Sequence, residues 1–161
     1  MSNLSLSTLL DFAVDAAWQA GKITLAYYQT DISVAHKTDD SPITIADRQS
    51  EELLRRLIQR QFPDHALLGE EFGSVEGKAP YRWILDPIDG TRAFVHGIPL
   101  YAVLIGLEIG GQPDLGVAYF PALDEMVWAA KGLGCYWNGR RAHVSTQSHW
   151  DKSLLLATDT E

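Results

Sequence analysis

Two aspartates close together after an apolar run mark residues 83–91, which read WILDPIDGT. A strand made by the apolar residues would release Asp86 and Asp89 at its end, where Pro87 lacks a backbone donor and ends regular pairing. Gly90 lets the backbone come close to a ligand. Carboxylates bind hard cations such as Mg²⁺, and amide groups at a turn bind phosphate oxygens. The segment therefore favours metal-assisted phosphate chemistry, although an ordinary acidic turn would contain the same residue types.

Two further acidic clusters precede this segment. Glu70 and Glu71 lie between glycines after a short apolar run. Adjacent glutamates usually form a solvated surface pair, but a second acidic strand end shortly afterwards is less usual. Asp47 lies three positions after Thr44, where a helical pattern begins, and this spacing resembles a capping box with Asp in place of Glu or Gln. Three acidic clusters thus accompany apolar segments in one part of the chain.

Three motifs resemble the inositol monophosphatase family of Mg²⁺-dependent phosphomonoesterases. They are SPITIAD at 41–47, GEEFG at 69–73 and WILDPIDGT at 83–91. The resemblance covers nearly the whole chain, because residues 138–140 and 144–145 also match the segment that follows the family's central hairpins. The motifs specify the reaction better than the substrate.

Two branches of that family are represented in the motifs. DDSPIT at 39–44 and DGTRAF at 89–94 look most like the histidinol-phosphatase branch. VHGIP at 95–99 is closer to the inositol-phosphatase style. The resemblance therefore leaves inositol monophosphate and histidinol phosphate open as substrates.

The resemblance implies a Mg²⁺ site that holds two or three ions. Asp86 would bridge two of them. Glu70 would bind the first ion and its water, and the backbone carbonyl of Ile88 would complete that first site. Asp89 would belong to the second ion. Glu71 would orient these ligands without dominating the coordination.

The resemblance also implies a catalytic relay beside the metal site. The Thr91 hydroxyl would contact the attacking water, and Asp47 would accept a hydrogen bond from Thr91 while still capping its helix. The amides of Gly90 and Thr91 would bind phosphate oxygens at the start of the following helix. Lys37 is either a solvated lysine or a supporting residue that touches water or phosphate near the acidic loop.

Other conspicuous residues have simpler interpretations. Arg92 is expected at the surface more readily than against the substrate, and His96 at the pocket rim or a subunit contact rather than in catalysis. Cys135 is expected to pack in a strand. Asp151 follows a tryptophan, as in the family's Trp-Asp motif, but the segment after it resembles the loop into a later strand. No metal role is carried over to Asp151.

The composition excludes several classes of protein. The 161 residues are 46% hydrophobic and 21% charged, which is ordinary for a globular domain. The formal net charge of −8 repels nucleic acid, and no Lys/Arg run offers a track for a phosphate backbone. The same charge would repel a phosphate ester, so the phosphatase hypothesis requires bound cations.

The cellular context is predicted from cysteine usage and from the N-terminal residues. One cysteine excludes an internal disulfide and favours a reducing cytoplasm. The first ten residues lack a basic leader and form a poor signal peptide. No apolar run reaches membrane-spanning length, so no membrane partner is expected. The resemblance suggests a homodimer.

Apolar spacing predicts helices over residues 5–29 and 44–62. In the second helix the residues expected to face inward are Leu53, Leu54, Leu57, Ile58 and Phe62, and those expected to face outward are Arg55, Arg56 and Arg60. Strands are predicted over 82–86, 101–109, 112–120, 125–130, 134–137 and 154–158, and Gly110 with Gly111 is a two-residue hairpin signal.

Two helices followed by antiparallel strands predict an α+β fold, with the helices layered on an antiparallel sheet. The resemblance implies the N-terminal part of the layered αβαβα sugar-phosphatase fold. Residues 1–145 are expected to form an N-terminal α+β metal-binding phosphatase domain. Residues 146–161 are expected to begin a C-terminal α/β portion that looks truncated. The family's third aspartate ligand belongs to that portion and lies outside this sequence.

The leading hypothesis is Mg²⁺-dependent hydrolysis of a small phosphorylated alcohol by activated water. One alternative is a truncated, non-catalytic module that binds a metal or a phosphate. Another is a nucleotide 3′-phosphatase of the same superfamily. A structural Ca²⁺ protein is disfavoured because the acidic residues come from separate segments and lack the spacing of an EF-hand.

Overall fold

The computed structural model describes residues 4–38 and 40–154. The helices are α1 (Leu6–Tyr27), α2 (Ile45–Gln61) and α3 (Thr91–Val95). The strands are β1 (Val34–His36), β2 (Pro42–Thr44), β3 (Ala66–Gly69), β4 (Gly73–Val75), β5 (Tyr81–Asp89), β6 (Ala102–Ile109), β7 (Gln112–Phe120), β8 (Glu125–Ala130), β9 (Gly134–Trp137) and β10 (Arg140–Ala142). Short 3₁₀ turns occupy Pro121–Leu123 and Trp150–Lys152.

One eight-stranded sheet organises the described residues, in the order β10-β9-β8-β7-β6-β5-β3-β4. Neighbouring strands run antiparallel except for β3 and β5, which pair in parallel from Ala66↔Arg82 to Gly69↔Leu85. The sheet is therefore mixed, whereas the sequence predicted an antiparallel one. The α2 helix precedes β3, and the β4 to β5 connection over residues 76–80 reverses the chain so that β5 can run alongside β3. Strands β1 and β2 form a separate two-stranded ribbon.

Both long helices pack on one face of the sheet. Four alanines in the middle of α1 are buried there and let the helix approach β6 and β7 closely: Ala13, Ala16, Ala17 and Ala20. Gly21 is part of this contact, since a Cβ at its position would lie 2.4 Å from the Tyr119 ring. The core contains Trp83 and Leu85 from β5, and their burial next to the helices stabilises this face by removing apolar area from water.

The predicted helices and hairpins are confirmed to within a few residues. Helix α1 begins after Ser5, whose side chain accepts from the Thr8 amide at 3.1 Å. Gly110 and Gly111 connect β6 to β7, both with positive φ, as a two-residue hairpin requires. The predicted strand over 154–158 lies outside the described residues from position 155 onward.

Two local predictions were wrong. Arg55 was expected to face outward, but it is buried against Glu51. Strand β5 was expected to end at Asp86, but pairing with β6 is interrupted only between Asp86 and Asp89 and resumes at Asp89. Pro87 explains the interruption because it has no N–H to donate.

Among the described residues, none of the helices combines the length and the apolar composition that a membrane span requires.

Candidate active site

The predicted acidic residues converge at one edge of the sheet. Because β3 and β5 run parallel, Glu70 follows one strand at the same edge where Asp86 and Asp89 end the other. A cavity of about 960 Å³ opens there, with walls that include Glu70, Asp89, Gly90, Thr91, Arg92 and His96. The tertiary fold therefore brings two of the sequence clusters to one place.

Asp47 joins the third cluster to this site. Its Oδ2 accepts from the Thr44 amide at 2.7 Å and from the Thr44 hydroxyl at 2.6 Å, which confirms the capping box. Its Oδ1 accepts from the Thr91 hydroxyl at 3.3 Å. Burial raises the pKa of Asp47, and these hydrogen bonds only partly offset that rise. Asp47 thus connects the start of α2 to the start of α3.

The Thr91 hydroxyl has a second partner. It also donates to the backbone carbonyl of Ile88, at 2.9 Å. Since Thr91 has one hydroxyl proton, the carbonyl and Asp47 compete for it. The carbonyl of Ile88, predicted to bind an ion, accepts from this hydroxyl with one of its two lone pairs. The geometry of the relay to Asp47 is in place, and its catalytic role stays a prediction.

Three carboxylates repel one another at the edge of the sheet. Burial, the charge of Glu70, a hydrogen bond with Glu70 and the charge of Asp89 together raise the pKa of Asp86 to about 8. The Ile88 amide opposes it by donating to Asp86 Oδ1 at 3.2 Å. Asp89 is exposed on the cavity wall. A cation bound among these groups would relieve their repulsion.

Lys37 lies between two glutamates rather than in solvent. Its Nζ is 2.6 Å from Glu70 Oε1 and 2.8 Å from Glu71 Oε1. Burial alone would lower the pKa of Lys37, but hydrogen bonds and charge from the two glutamates outweigh it and raise that pKa. The Glu71 side chain is only 2% exposed, and its burial raises its own pKa. Lys37 therefore supplies positive charge inside the acidic loop.

The donor set suits a hard cation in its chemistry. Within residues 4–38 and 40–154, no three His, Cys, Asp or Glu side chains are already gathered so as to hold a metal ion. Carboxylates and a carbonyl are nevertheless the ligands that Mg²⁺ prefers. The charges of Glu70 and Asp89 contribute to the raised pKa of Asp86, and Glu70 and Glu71 share the single ammonium of Lys37, so negative charge is in excess at this place. The chemistry of these residues therefore fits Mg²⁺.

Sequence reasoning missed a buried ion pair next to the acidic loop. Glu51 is fully buried, and its Oε1 accepts from Arg55 Nε at 2.6 Å. The carboxylate also accepts from the amides of Glu71, at 2.7 Å, and Phe72, at 3.2 Å. The spacing of four between Glu51 and Arg55 was the available signal, since such residues are neighbours on a helix.

The remaining candidates lie at the rim or away from the site. Arg92 and His96 line the cavity, and His96 Nδ1 lies 2.7 Å from the Arg92 carbonyl. Gly90 has a φ of 87° and precedes α3, so its backbone adopts a conformation that a side chain would strain. Cys135 is half-buried in β9, as expected. Asp151 is exposed in a 3₁₀ turn.

Comparison with known proteins identifies relatives along most of the chain. The profile described as the inositol monophosphatase family matches residues 5–160. The chain is 46% identical to a histidinol-phosphatase from Chlorobaculum parvum over 153 residues, which cover 94% of this chain and 59% of that protein. It is 41% identical to inositol monophosphatase 1 from Solanum lycopersicum over 157 residues, which cover 95% of this chain and 58% of that protein.

The fold has a counterpart among solved structures. The extragenic suppressor protein SuhB from Bartonella henselae superimposes with a TM-score of 0.83 and 34% identity, over 87% of this chain and 55% of that one. The same α+β arrangement is therefore present in both molecules. This chain spans somewhat more than half the length of the relatives that it matches.

Proposed function

Because the chain belongs to the inositol monophosphatase family, we propose that it is a Mg²⁺-dependent phosphatase of small phosphorylated alcohols. The observation that supports this proposal is that Glu70 lies beside Asp86 and Asp89. Next to them, the Thr91 hydroxyl donates a hydrogen bond to Asp47. The carboxylates at the cavity wall are negative and would repel a negative phosphate ester. Cations bound between them would remove this repulsion and allow the ester to bind. The net charge of −8 makes this need for cations stronger.

Glu70, Asp86, Asp89 and the carbonyl of Ile88 would hold two or three Mg²⁺ ions. Bound Mg²⁺ lowers the pKa of water to give a nucleophile at neutral pH and neutralises charge on the leaving oxygen. Glu70 would also orient the attacking water. Glu71 would hold Lys37 near the phosphate rather than bind an ion itself, since its side chain is buried and paired.

Asp47 and Thr91 would position and deprotonate the attacking water. The Thr91 hydroxyl, at 3.3 Å from Asp47 Oδ1, would accept from the water while donating to the carboxylate. The raised pKa of Asp47 makes its carboxylate a better proton acceptor than an ordinary aspartate. The amides of Gly90 and Thr91 would bind phosphate oxygens, because the first N–H groups of a helix lack intrahelical partners.

The two most informative relatives suggest two candidate substrates for this chain. A histidinol-phosphatase at 46% identity supports histidinol phosphate, and an inositol monophosphatase at 41% supports inositol monophosphate. The wall residues Ile98 and Leu100 are about half exposed and would contact the alcohol part of either ester. No described feature favours a 3′-nucleotide.

The test is phosphate release by this chain with and without Mg²⁺. Inositol 1-phosphate, histidinol phosphate and a nucleoside 3′-phosphate are compared in parallel. We expect Mg²⁺-dependent release from one of the first two, which would also name the branch. Release without Mg²⁺, with EDTA present as the control, would contradict the metal mechanism. The absence of release from every ester would favour the non-catalytic binding module.

The assembly and location of the protein belong to the same proposal. We propose a homodimer in the cytoplasm, supported by the family resemblance and by the single free cysteine. Light scattering coupled to size exclusion measures the mass directly. A monomer across the accessible concentration range would overturn the dimer without affecting the phosphatase proposal.

A further inference from the structure

We propose that Glu51 is a positioning residue for the metal-binding loop, acting through its backbone hydrogen bonds to that loop. The inference rests on the proposed function, because it concerns how Glu70 and Glu71 are held for Mg²⁺. Glu51 lies outside the acidic motifs that form the cavity wall. Its contacts in the fold point to this role.

Glu51 holds the loop by both of its carboxylate oxygens. Oε2 accepts from the Glu71 amide at 2.7 Å, and Oε1 accepts from the Phe72 amide at 3.2 Å. These two amides directly follow Glu70 in the chain. A carboxylate that accepts from consecutive amides fixes the orientation of the peptide units between them, and hence the direction in which the preceding side chain leaves the backbone.

Arg55 keeps the Glu51 carboxylate in place. Its Nε donates to Glu51 Oε1 at 2.6 Å, and its Nη2 donates to the Gly73 carbonyl at the far end of the loop. The Glu51 side chain is fully buried, so its charge depends on Arg55 for compensation. The pair therefore holds the last two residues of the turn between β3 and β4 and the first residue of β4.

Gly69 shows how closely the carboxylate approaches the loop. A Cβ at this position would lie 2.0 Å from Glu51 Oε1 and 2.7 Å from Arg55 Nη2. Any side chain at 69 would therefore displace the ion pair. The glycine before Glu70 is explained by this contact rather than by backbone conformation, since Gly69 is not among the glycines with positive φ.

The same helix face serves both parts of the site. Asp47 and Glu51 are four residues apart on α2, so they lie one turn apart on one face. Asp47 holds Thr91, and Glu51 holds the loop that carries Glu70. Helix α2 thus sets the distance between the water-activating residues and the first metal ligand.

The experiment measures metal affinity separately from stability. Mn²⁺ is the probe, because the loss of free-ion signal in electron paramagnetic resonance reports binding without turnover. The variant is Glu51→Gln, which keeps the size of the side chain but offers one acceptor oxygen instead of two. Two controls accompany it: Glu52→Gln, at an exposed neighbour, and Leu54→Ala, which destabilises the core from the same helix.

We expect Glu51→Gln to weaken Mn²⁺ binding by about tenfold to a hundredfold at a temperature where it is fully folded. Both controls should bind Mn²⁺ like the unsubstituted chain, although Leu54→Ala melts earlier. Unchanged affinity in Glu51→Gln, or an equal loss in Leu54→Ala, would reduce Glu51 to a structural residue and overturn the inference.

A second variant keeps the inference testable if Glu51→Gln alone does not fold. Glu51→Gln combined with Arg55→Met removes the uncompensated charge that the single substitution leaves buried. Its Mn²⁺ affinity should fall to a similar extent, and unchanged affinity would overturn the inference. An unsubstituted chain that binds no Mn²⁺ would overturn it as well. If the chain binds Mn²⁺ in a Glu51-dependent way but releases no phosphate, only the proposed phosphatase activity fails.

Discussion

At the scale of single residues, the site depends on pairs of side chains that hold each other. The buried Asp47 carboxylate holds Thr91, and the paired glutamates hold Lys37. Asp89 differs from these residues because it is exposed on the cavity wall. Changes at Asp89 should therefore affect ligand binding without disturbing the fold.

Asp89→Asn tests the ligand role of this residue. The amide retains the shape of the carboxylate but loses its charge, so we expect Mg²⁺-dependent phosphate release to fall below detection. Circular dichroism should show an unchanged fold and an unchanged melting temperature within about 2 °C, as is usual for an exposed site. Normal turnover by the variant would overturn the assignment of Asp89 to a second ion.

Thr91→Ala tests the relay. Removing the hydroxyl should lower kcat by roughly 10²-fold or more, the usual range for loss of acid–base catalysis. Thr91→Ser is the matched control, since it keeps a hydroxyl for Asp47 and should retain most of the activity. The two variants are compared at saturating Mg²⁺. Equal activity in both would show that the hydroxyl has no part in the reaction.

At the scale of elements, a stack of rings joins the end of α2 to the start of β5. The His65 ring lies between Phe62 and Tyr81, with centroid distances of 4.8 and 4.4 Å. Trp83 Nε1 donates to His65 Nδ1 at 3.1 Å, so this nitrogen is the unprotonated one. Burial lowers the pKa of His65, and the charge of Asp64 opposes that shift only in part.

This stack predicts a dependence of stability on pH. A lowered pKa in the folded state means that His65 contributes stability above its ordinary pKa of 6.5, and that this stability is lost as the pH falls below that value. The free energy of unfolding should decrease by up to about 1.4 kcal/mol per pH unit from this group. Urea titrations followed by tryptophan fluorescence measure it.

His65→Asn separates this histidine from the other titrating groups. The amide oxygen of Asn can accept from Trp83 but does not titrate. The variant should therefore lack the part of the pH slope that His65 supplies. If the variant and the unsubstituted chain have the same slope, another group is responsible for the pH dependence.

At the scale of the whole molecule, the helices cover one face of the sheet. On the opposite face, Leu104, Ala118 and Val127 lie side by side on adjacent strands and are half-buried. The division into a domain over 1–145 and a further portion from 146 stays a prediction. The acidic site lies at the edge of this sheet, between strands of the same cooperative fold.

Mg²⁺ should stabilise the folded chain as a whole. A ligand at 100 times its Kd adds about 2.7 kcal/mol, which for a chain of this size raises the melting temperature by roughly 5–10 °C. Differential scanning calorimetry with Mg²⁺ or with EDTA measures the shift. Asp86→Asn is the control and should reduce it, because Asp86 is one of the residues that would hold the metal ions. An identical melting temperature with Mg²⁺ and with EDTA would contradict a metal site in this chain.

Local patterns in the sequence determined the two long helices, the β6–β7 hairpin and the motif residues that meet at the site. These features depend on spacing and turn chemistry within short segments, such as the capping box at Thr44. Only the tertiary structure decided that β3 runs parallel to β5, which brings Glu70 beside Asp86. It also decided that Arg55 is buried with Glu51 and that Lys37 lies between two glutamates. The reason is physical: a buried charge is stable only next to a partner, and such partners can be far away in sequence.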